Sequence, residues 1–315
     1  MTDDARSEAA RPDYDEFGLF HENAAEFGLP FDAPPVVRRE SVELDDSRTS
    51  SALVWGESDP ELVLLHGGAQ NAHTWDTVAM ALGRPLVAID LPGHGHSDEG
   101  RNGSLDVAAN APDLAAVIRR LAPGAKAVVG MSLGGLSTLA LAAHAPELVR
   151  TVVLVDVTPG VNEAKTAAIT AFVNGPESFE DFDALLARTI QHNPTRTMSS
   201  LRRGILHNAV PRPDGSWVWR YARMRSSEPP LDSSRPAPAA LWDVVSGLRV
   251  PLMLVRAMTA QSVVDDADEA ELLVRAPHAV VAPVADAGHS VQGDRPIELA
   301  RLIADFVDGV PPRRA

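Results

Sequence analysis

The stretch Ala127-Val128-Val129-Gly130-Met131-Ser132-Leu133-Gly134-Gly135 reads as a buried strand that breaks into a helix, with one serine at the break. Ala127, Val128 and Val129 lead in, and the small-residue run from Leu136 to Ala143 continues as helix. Glycine at 130 and 134 suits a place where strand and helix are forced together, because glycine has no Cβ to collide there. The pattern G-x-S-x-G occurs by chance in many chains, so its weight comes from the strand before it and the helix after it. A serine displayed on such a turn needs a base, an acid to orient the base, and donors for the charge that develops on a substrate oxygen.

Around this stretch short apolar runs alternate with helical patterns. Val36 to Leu44 and Ser51 to Val54 read as two strands about the turn Asp45-Asp46-Ser47-Arg48. Leu62-Val63-Leu64-Leu65 is apolar throughout and too short for a helix, which suits a strand buried on both faces. Helix signals from Trp75 to Leu82 precede the strand Leu86 to Ile89. Leu114, Val117, Ile118 and Leu121 then mark one helix face, and Val152 to Val155 forms the next strand. The rhythm stops from Pro159 to about Arg249, resumes at Leu252 to Val255 and Val280-Val281, and closes with a helix carrying Leu299, Leu302, Ile303 and Phe306. This predicts an α/β chain, a doubly wound and mostly parallel sheet with an inserted, mainly helical lid. The expected units are an irregular, helix-poor extension over 1–35, a core over 36–158 and 250–309, a lid over 159–249 and a tail over 310–315. Residues Ser226 to Pro238, rich in proline and serine, read as a loop.

Composition narrows the function. The 315 residues contain no cysteine, which excludes disulfides, thiolate metal sites and cysteine nucleophiles. Lys plus Arg 28 against Asp plus Glu 43 gives a net charge of -15, which argues against nucleic acid or an anionic membrane as partner. No apolar run approaches the roughly 20 residues that span a bilayer. The start Met1-Thr2-Asp3-Asp4-Ala5-Arg6 lacks the basic and apolar segments of a secretory signal, so a cytoplasmic location is expected. Arginine far outnumbers lysine, a bias of GC-rich bacterial genomes. The expected partner is a small molecule; oligomeric state is not legible.

Three further motifs fall at strand ends. His66-Gly67-Gly68-Ala69 follows Leu62 to Leu65, Asp90-Leu91-Pro92-Gly93-His94-Gly95-His96-Ser97 follows Leu86 to Ile89, and Gly288-His289 lies between the final strand and the closing helix. Together with the serine turn these resemble the α/β-hydrolase superfamily in kind and order. His94 and His96 could suggest a metal pair, but no further ligands cluster near them in sequence and the loop has a structural explanation, so no metal is expected.

The resemblance implies roles for individual residues. Ser132 is the nucleophile and His289 the base. The N–H groups of Gly68 and Leu133 form the oxyanion hole, with Ala69 as an alternative to Gly68. His66, His94 and His96 are structural hydrogen-bonders around the site. The acid departs from the common pattern, since Gln261 and Ser262 stand where an aspartate is usual. Asp156, at the end of the strand Val152 to Val155, is preferred to Asp265 or Asp266, which also suit the cap of the following helix. Trp217, Trp219 and Tyr221 alternate as on a strand face and either wall a substrate pocket or form the lid's core.

The implied activity is hydrolysis of a carboxylic ester through an acyl-enzyme, without a cofactor. The same residues would serve a C–C bond, lactone or thioester hydrolase. A non-catalytic small-molecule receptor that retains the triad is the reading from another class.

Overall fold

The computed structural model describes residues 14–193, 196–221 and 238–309. The first 13 residues, residues 226–237 of the Pro/Ser-rich stretch and the tail 310–315 lie outside the described residues. In chain order the core runs α1 (Phe20–Phe27), β1 (Val37–Glu43), β2 (Thr49–Trp55), β3 (Leu62–Leu65), α2 (Asp76–Leu82), β4 (Leu86–Ile89), α3 (Val107–Leu121), β5 (Ala127–Met131), α4 (Leu133–His144) and β6 (Val152–Val155). The cap follows with α5 (Glu163–Val173), β7 (Ser178–Phe179), α6 (Phe182–His192), α7 (Met198–Asn208), β8 (Ala209–Pro211), β9 (Trp217–Trp219) and α8 (Leu241–Gly247). The chain returns to the core with β10 (Leu252–Ala257), α9 (Asp266–Arg275), β11 (Val280–Val284), α10 (Val291–Asp294) and α11 (Pro296–Val307).

Among the described residues the core strands form one eight-stranded sheet in the order β1-β2-β4-β3-β5-β6-β10-β11. Only the β1–β2 and β2–β4 pairings in it are antiparallel. The apolar runs behave as strands buried on both faces should. Val63, Leu65 and Val128 join the core on one face, while Leu62, Leu64 and Val129 join the core on the other. α3 and α4 cover the first face, and α2 and α11 cover the second. The six mutually parallel strands, β4, β3, β5, β6, β10 and β11, therefore point the loops at their ends to one edge, where ligands bind in open α/β sheets.

The inserted cap has its own small core of Phe179, Leu185, Ile205, Leu206, Ala209 and Trp217. Besides its helices it contains a three-stranded sheet, β7-β9-β8, which the mainly helical expectation did not include. The N-terminal extension also differs from its helix-poor expectation. α1 buries Phe20 against Trp55, with ring centroids 5.2 Å apart, and Asn23 donates to Thr77 Oγ1 at 2.9 Å. The helix ends at Gly28 in the left-handed conformation that glycine adopts without strain. At eight residues it depends on this docking, since so short a helix is marginal alone.

Candidate active site

β5 delivers Ser132 to the ligand-binding edge of the sheet. The Ser132 N–H donates to the Val155 carbonyl at 3.2 Å, tying the turn to β6. Ser132 has φ 50° and ψ −116°, a conformation that costs a non-glycine residue on the order of 1–3 kcal/mol. The flanking glycines make it reachable: a Cβ on Gly130 would stand 2.2 Å from the Gly134 oxygen, and one on Gly134 would stand 2.2 Å from the Leu65 oxygen. Positive φ at non-glycine residues recurs at Ala69, Asp156 and Asp286, in the loops that follow β3, β6 and β11. Backbone strain of this kind gathers at functional sites.

Asp156 is fully buried at the end of β6. Its Oδ2 lies 2.9 Å from Nδ1 of His289 and accepts the Val263 N–H at 3.1 Å. Its Oδ1 accepts the Ala257 N–H at 3.0 Å and the Ser262 hydroxyl at 2.6 Å. A buried carboxylate needs such donors to stay charged. The last residue of β10, through the Ala257 N–H, and the loop after it, through the Val263 N–H and the Ser262 hydroxyl, thus hold Asp156. Asp265 and Asp266 lie elsewhere. Asp265 caps α9 by accepting the Asp268 N–H and pairs with Lys165 at 2.9 Å. Asp266 is almost fully exposed and pairs with Arg256.

The loop after β3 lies against the serine turn. A Cβ on Gly67 would be 3.4 Å from Ser132 Cβ, and one on Gly68 would be 4.0 Å from Leu133 Cδ2. The Ala69 N–H donates to Nε2 of His94 at 3.1 Å, so that group is already engaged. His66 Nε2 accepts the Leu91 N–H at 2.9 Å, and its Nδ1 therefore donates to the Gly67 carbonyl at 2.7 Å. Burial, reinforced by His94, pushes His66 down to about 3, and burial likewise lowers His94. Both rings act as neutral struts of the loop. The turn after β4 is organised by Asp90, which accepts from the N–H groups of Ala72 and His96 and from Arg39. His96 is used through its backbone in this bond.

These strand ends match a known family. The family model described as "Alpha/beta hydrolase family" matches residues 62–302. The chain belongs to this family. It is 44% identical over 301 residues to esterase Rv0045c of Mycobacterium tuberculosis, covering 93% of this chain and 96% of that one. It is 29% identical over 267 residues to 2-(acetamidomethylene)succinate hydrolase of Mesorhizobium japonicum, covering 80% and 89%. A structure of the Rv0045c esterase, described with its transition metal inhibition, superposes with a TM-score of 0.82 over 94% of this chain and 99% of that one, at 44% identity.

A cavity of about 210 Å³ opens between core and cap of this α/β-hydrolase; it is lined by Ser290, the neighbour of His289, but not by Ser132 or His289 themselves. Gln70, Asn208, Trp219, Ser290 and Gln292 are among its lining residues. Gln70 accepts the Gly67 N–H at 3.0 Å, and Asn208 donates to the Ala69 carbonyl at 2.6 Å, so the cavity wall braces the loop that carries Gly68. Of the aromatic trio, Trp219 lines the cavity and stacks on Tyr221 at 5.5 Å, whereas Trp217 is packed in the cap core against Phe182. Gln70, Asn208 and Gln292 went unmarked in sequence because each is an isolated amide in a different segment. Ser262 carried a signal, since it occupies the place from which the usual acid is missing.

Proposed function

We propose that this hydrolase cleaves carboxylic esters through a covalent acyl-enzyme formed on Ser132. The observation that carries the reading is the buried Asp156 carboxylate bonded to His289 Nδ1, one strand away from the strained serine turn. In this scheme Asp156 fixes the imidazole in the tautomer whose Nε2 accepts a proton, and stabilises the imidazolium once formed. Ser132 Oγ attacks the ester carbonyl carbon and passes its proton to His289 Nε2. The carbonyl oxygen becomes an oxyanion and is met by the N–H groups of Gly68 and Leu133, which need no reorganisation to receive it. Collapse expels the alkoxide, which takes the proton from His289. Water then attacks the acyl-Ser132 ester, giving its proton to the same nitrogen, and releases the acid and the free serine.

The similarity to esterase Rv0045c over nearly the whole of both chains supports an ester as the scissile bond. The scheme requires no cofactor. Its test is labelling of the folded protein with a fluorophosphonate, followed by peptide mapping. Label is expected on Ser132 and absent from Ser132→Ala. Absence of label from wild type would sink the acyl-enzyme scheme, and a panel of p-nitrophenyl esters, thioesters and lactones then assigns the bond.

A further inference from the structure

His73, Asp76 and His207 meet outside the triad, in the wall of the cavity between core and cap. Each side chain is more than nine-tenths buried. His73 Nδ1 is 2.9 Å and His207 Nε2 is 3.9 Å from Asp76 Oδ2, and one ligand atom from each residue lies within 4.8 Å of the other two. Among the described residues, buried Asp76 Oδ1 has no hydrogen-bond partner, an uncommon state for a carboxylate oxygen. The far nitrogen of each ring is held from behind: His73 Nε2 lies 3.3 Å from Glu16 Oε2, and His207 Nδ1 lies 2.8 Å from the Tyr14 hydroxyl. The Glu16 carboxylate can only accept, so it favours the His73 tautomer that turns the Nδ1 lone pair toward a metal, and the Tyr14 hydroxyl does the same for His207 Nε2 when it accepts from Nδ1–H. Arg39 also approaches His73 Nε2, at 3.4 Å, but its charge is paired with Glu16 and Asp90.

We propose that His73 Nδ1, His207 Nε2 and the Asp76 carboxylate bind one divalent transition-metal ion of the zinc class, with water from the cavity as the remaining ligand. Two imidazoles and one carboxylate suit Zn²⁺, Co²⁺ or Ni²⁺, whereas Mg²⁺ and Ca²⁺ prefer oxygen ligands alone. The two rings are stacked at 3.9 Å, so capture of the ion tilts their nitrogens toward Asp76. The ion ties three parts of the chain: the N-terminal segment through Tyr14 and Glu16, the core through α2, and the cap through α7. It also bears on the oxyanion loop, because Asn208, next to His207, donates to the Ala69 carbonyl.

The experiment uses the full chain, freed of metal by chelation and buffer exchange. Zn²⁺ is titrated by calorimetry and Co²⁺ by visible absorption, with no substrate present, so the outcome is independent of the esterase reading. One equivalent is expected to bind, with a Co²⁺ ligand-field band and a raised melting temperature, and with no response to Mg²⁺ or Ca²⁺. His207→Gln and Asp76→Asn are expected to weaken Zn²⁺ at least about 100-fold, and His289→Ala to leave it within about twofold. Should those first two variants fail to fold, Tyr14→Phe, which removes only the outer partner, is expected to weaken Zn²⁺ about tenfold. No stoichiometric binding to wild type, binding that survives the substitutions, or binding lost in His289→Ala would overturn the proposal.

Discussion

Oδ2 of Asp156 and Nδ1 of His289 lie 2.9 Å apart although 133 positions separate them in the chain. Asp156 comes from the end of β6 and His289 from the loop after β11, so the contact spans β10, the strand between them. Asp156→Asn is nearly isosteric but cannot hold the imidazole in the same tautomer with the same charge. kcat on a p-nitrophenyl ester is expected to fall about 10²- to 10⁴-fold, with circular dichroism unchanged. Asp265→Asn and Asp266→Asn, tied to Lys165 and Arg256 instead, are expected to stay within about twofold of wild type. Equal activity of Asp156→Asn and wild type would remove Asp156 from the scheme.

Ser262 acts on this pair at one remove. Its hydroxyl donates to Asp156 Oδ1 at 2.6 Å, and its oxygen accepts the Val264 N–H at 3.1 Å, so it anchors the loop as well as the carboxylate. Loss of a hydrogen bond to a charged, buried group costs about 1.5–3 kcal/mol. Ser262→Ala is expected to lower kcat about tenfold with little change in KM, and to lower the urea midpoint. Ser262→Thr, which keeps the hydroxyl, should recover most of both. A Thr variant no better than Ala would show that the loop's packing matters and the hydroxyl does not.

The legible part of the fold was the part written locally. β3, β5 and β6 are continuous apolar runs, and the serine turn, the His66-Gly67-Gly68 loop and Gly288-His289 each announce themselves within a few residues. The acid was only half legible. An aspartate at a strand end and an aspartate before a helix look alike until the end of β10 and the loop after it place Ala257 N–H, Val263 N–H and Ser262 around one of them. The cavity was not legible at all, because Gln70, Asn208 and Gln292 are brought together by tertiary packing. α1 was obscured by its charged surroundings, and its stability rests on Phe20 reaching Trp55.

Two glycines of the site separate steric need from simple proximity. A Cβ on Gly130 would meet the Gly134 oxygen at 2.2 Å, which only backbone movement could relieve. Gly130→Ala is expected to lose at least about 3 kcal/mol of stability, or to yield no folded protein. Gly68 is different: its added methyl would find only Leu133 Cδ2, at 4.0 Å. Gly68→Ala should therefore unfold within about 0.5 kcal/mol of wild type, and retain the N–H assigned to the oxyanion. Thermal melts of both variants, with ester kinetics on the second, decide the point.

His66 ties stability to pH. Burial holds it down to about 3 against an ordinary value of 6.5, and its neutral form carries the bonds to Leu91 and Gly67. Between these two values the unfolded chain binds a proton that the folded chain does not. Stability therefore rises with pH across that window and is unaffected by this group above it. Lowering the pH from 7.5 to 4.5 is therefore not neutral for the fold: the urea midpoint is expected to fall steadily once pH passes below about 6.5. His66→Gln should be less stable than wild type at pH 7.5, because it loses the two strut bonds in their present geometry. Its decline with acid should nevertheless be shallower, since that proton-binding site is gone from the unfolded chain. Parallel declines in the two proteins would mean that other groups, and not His66, set the acid limit.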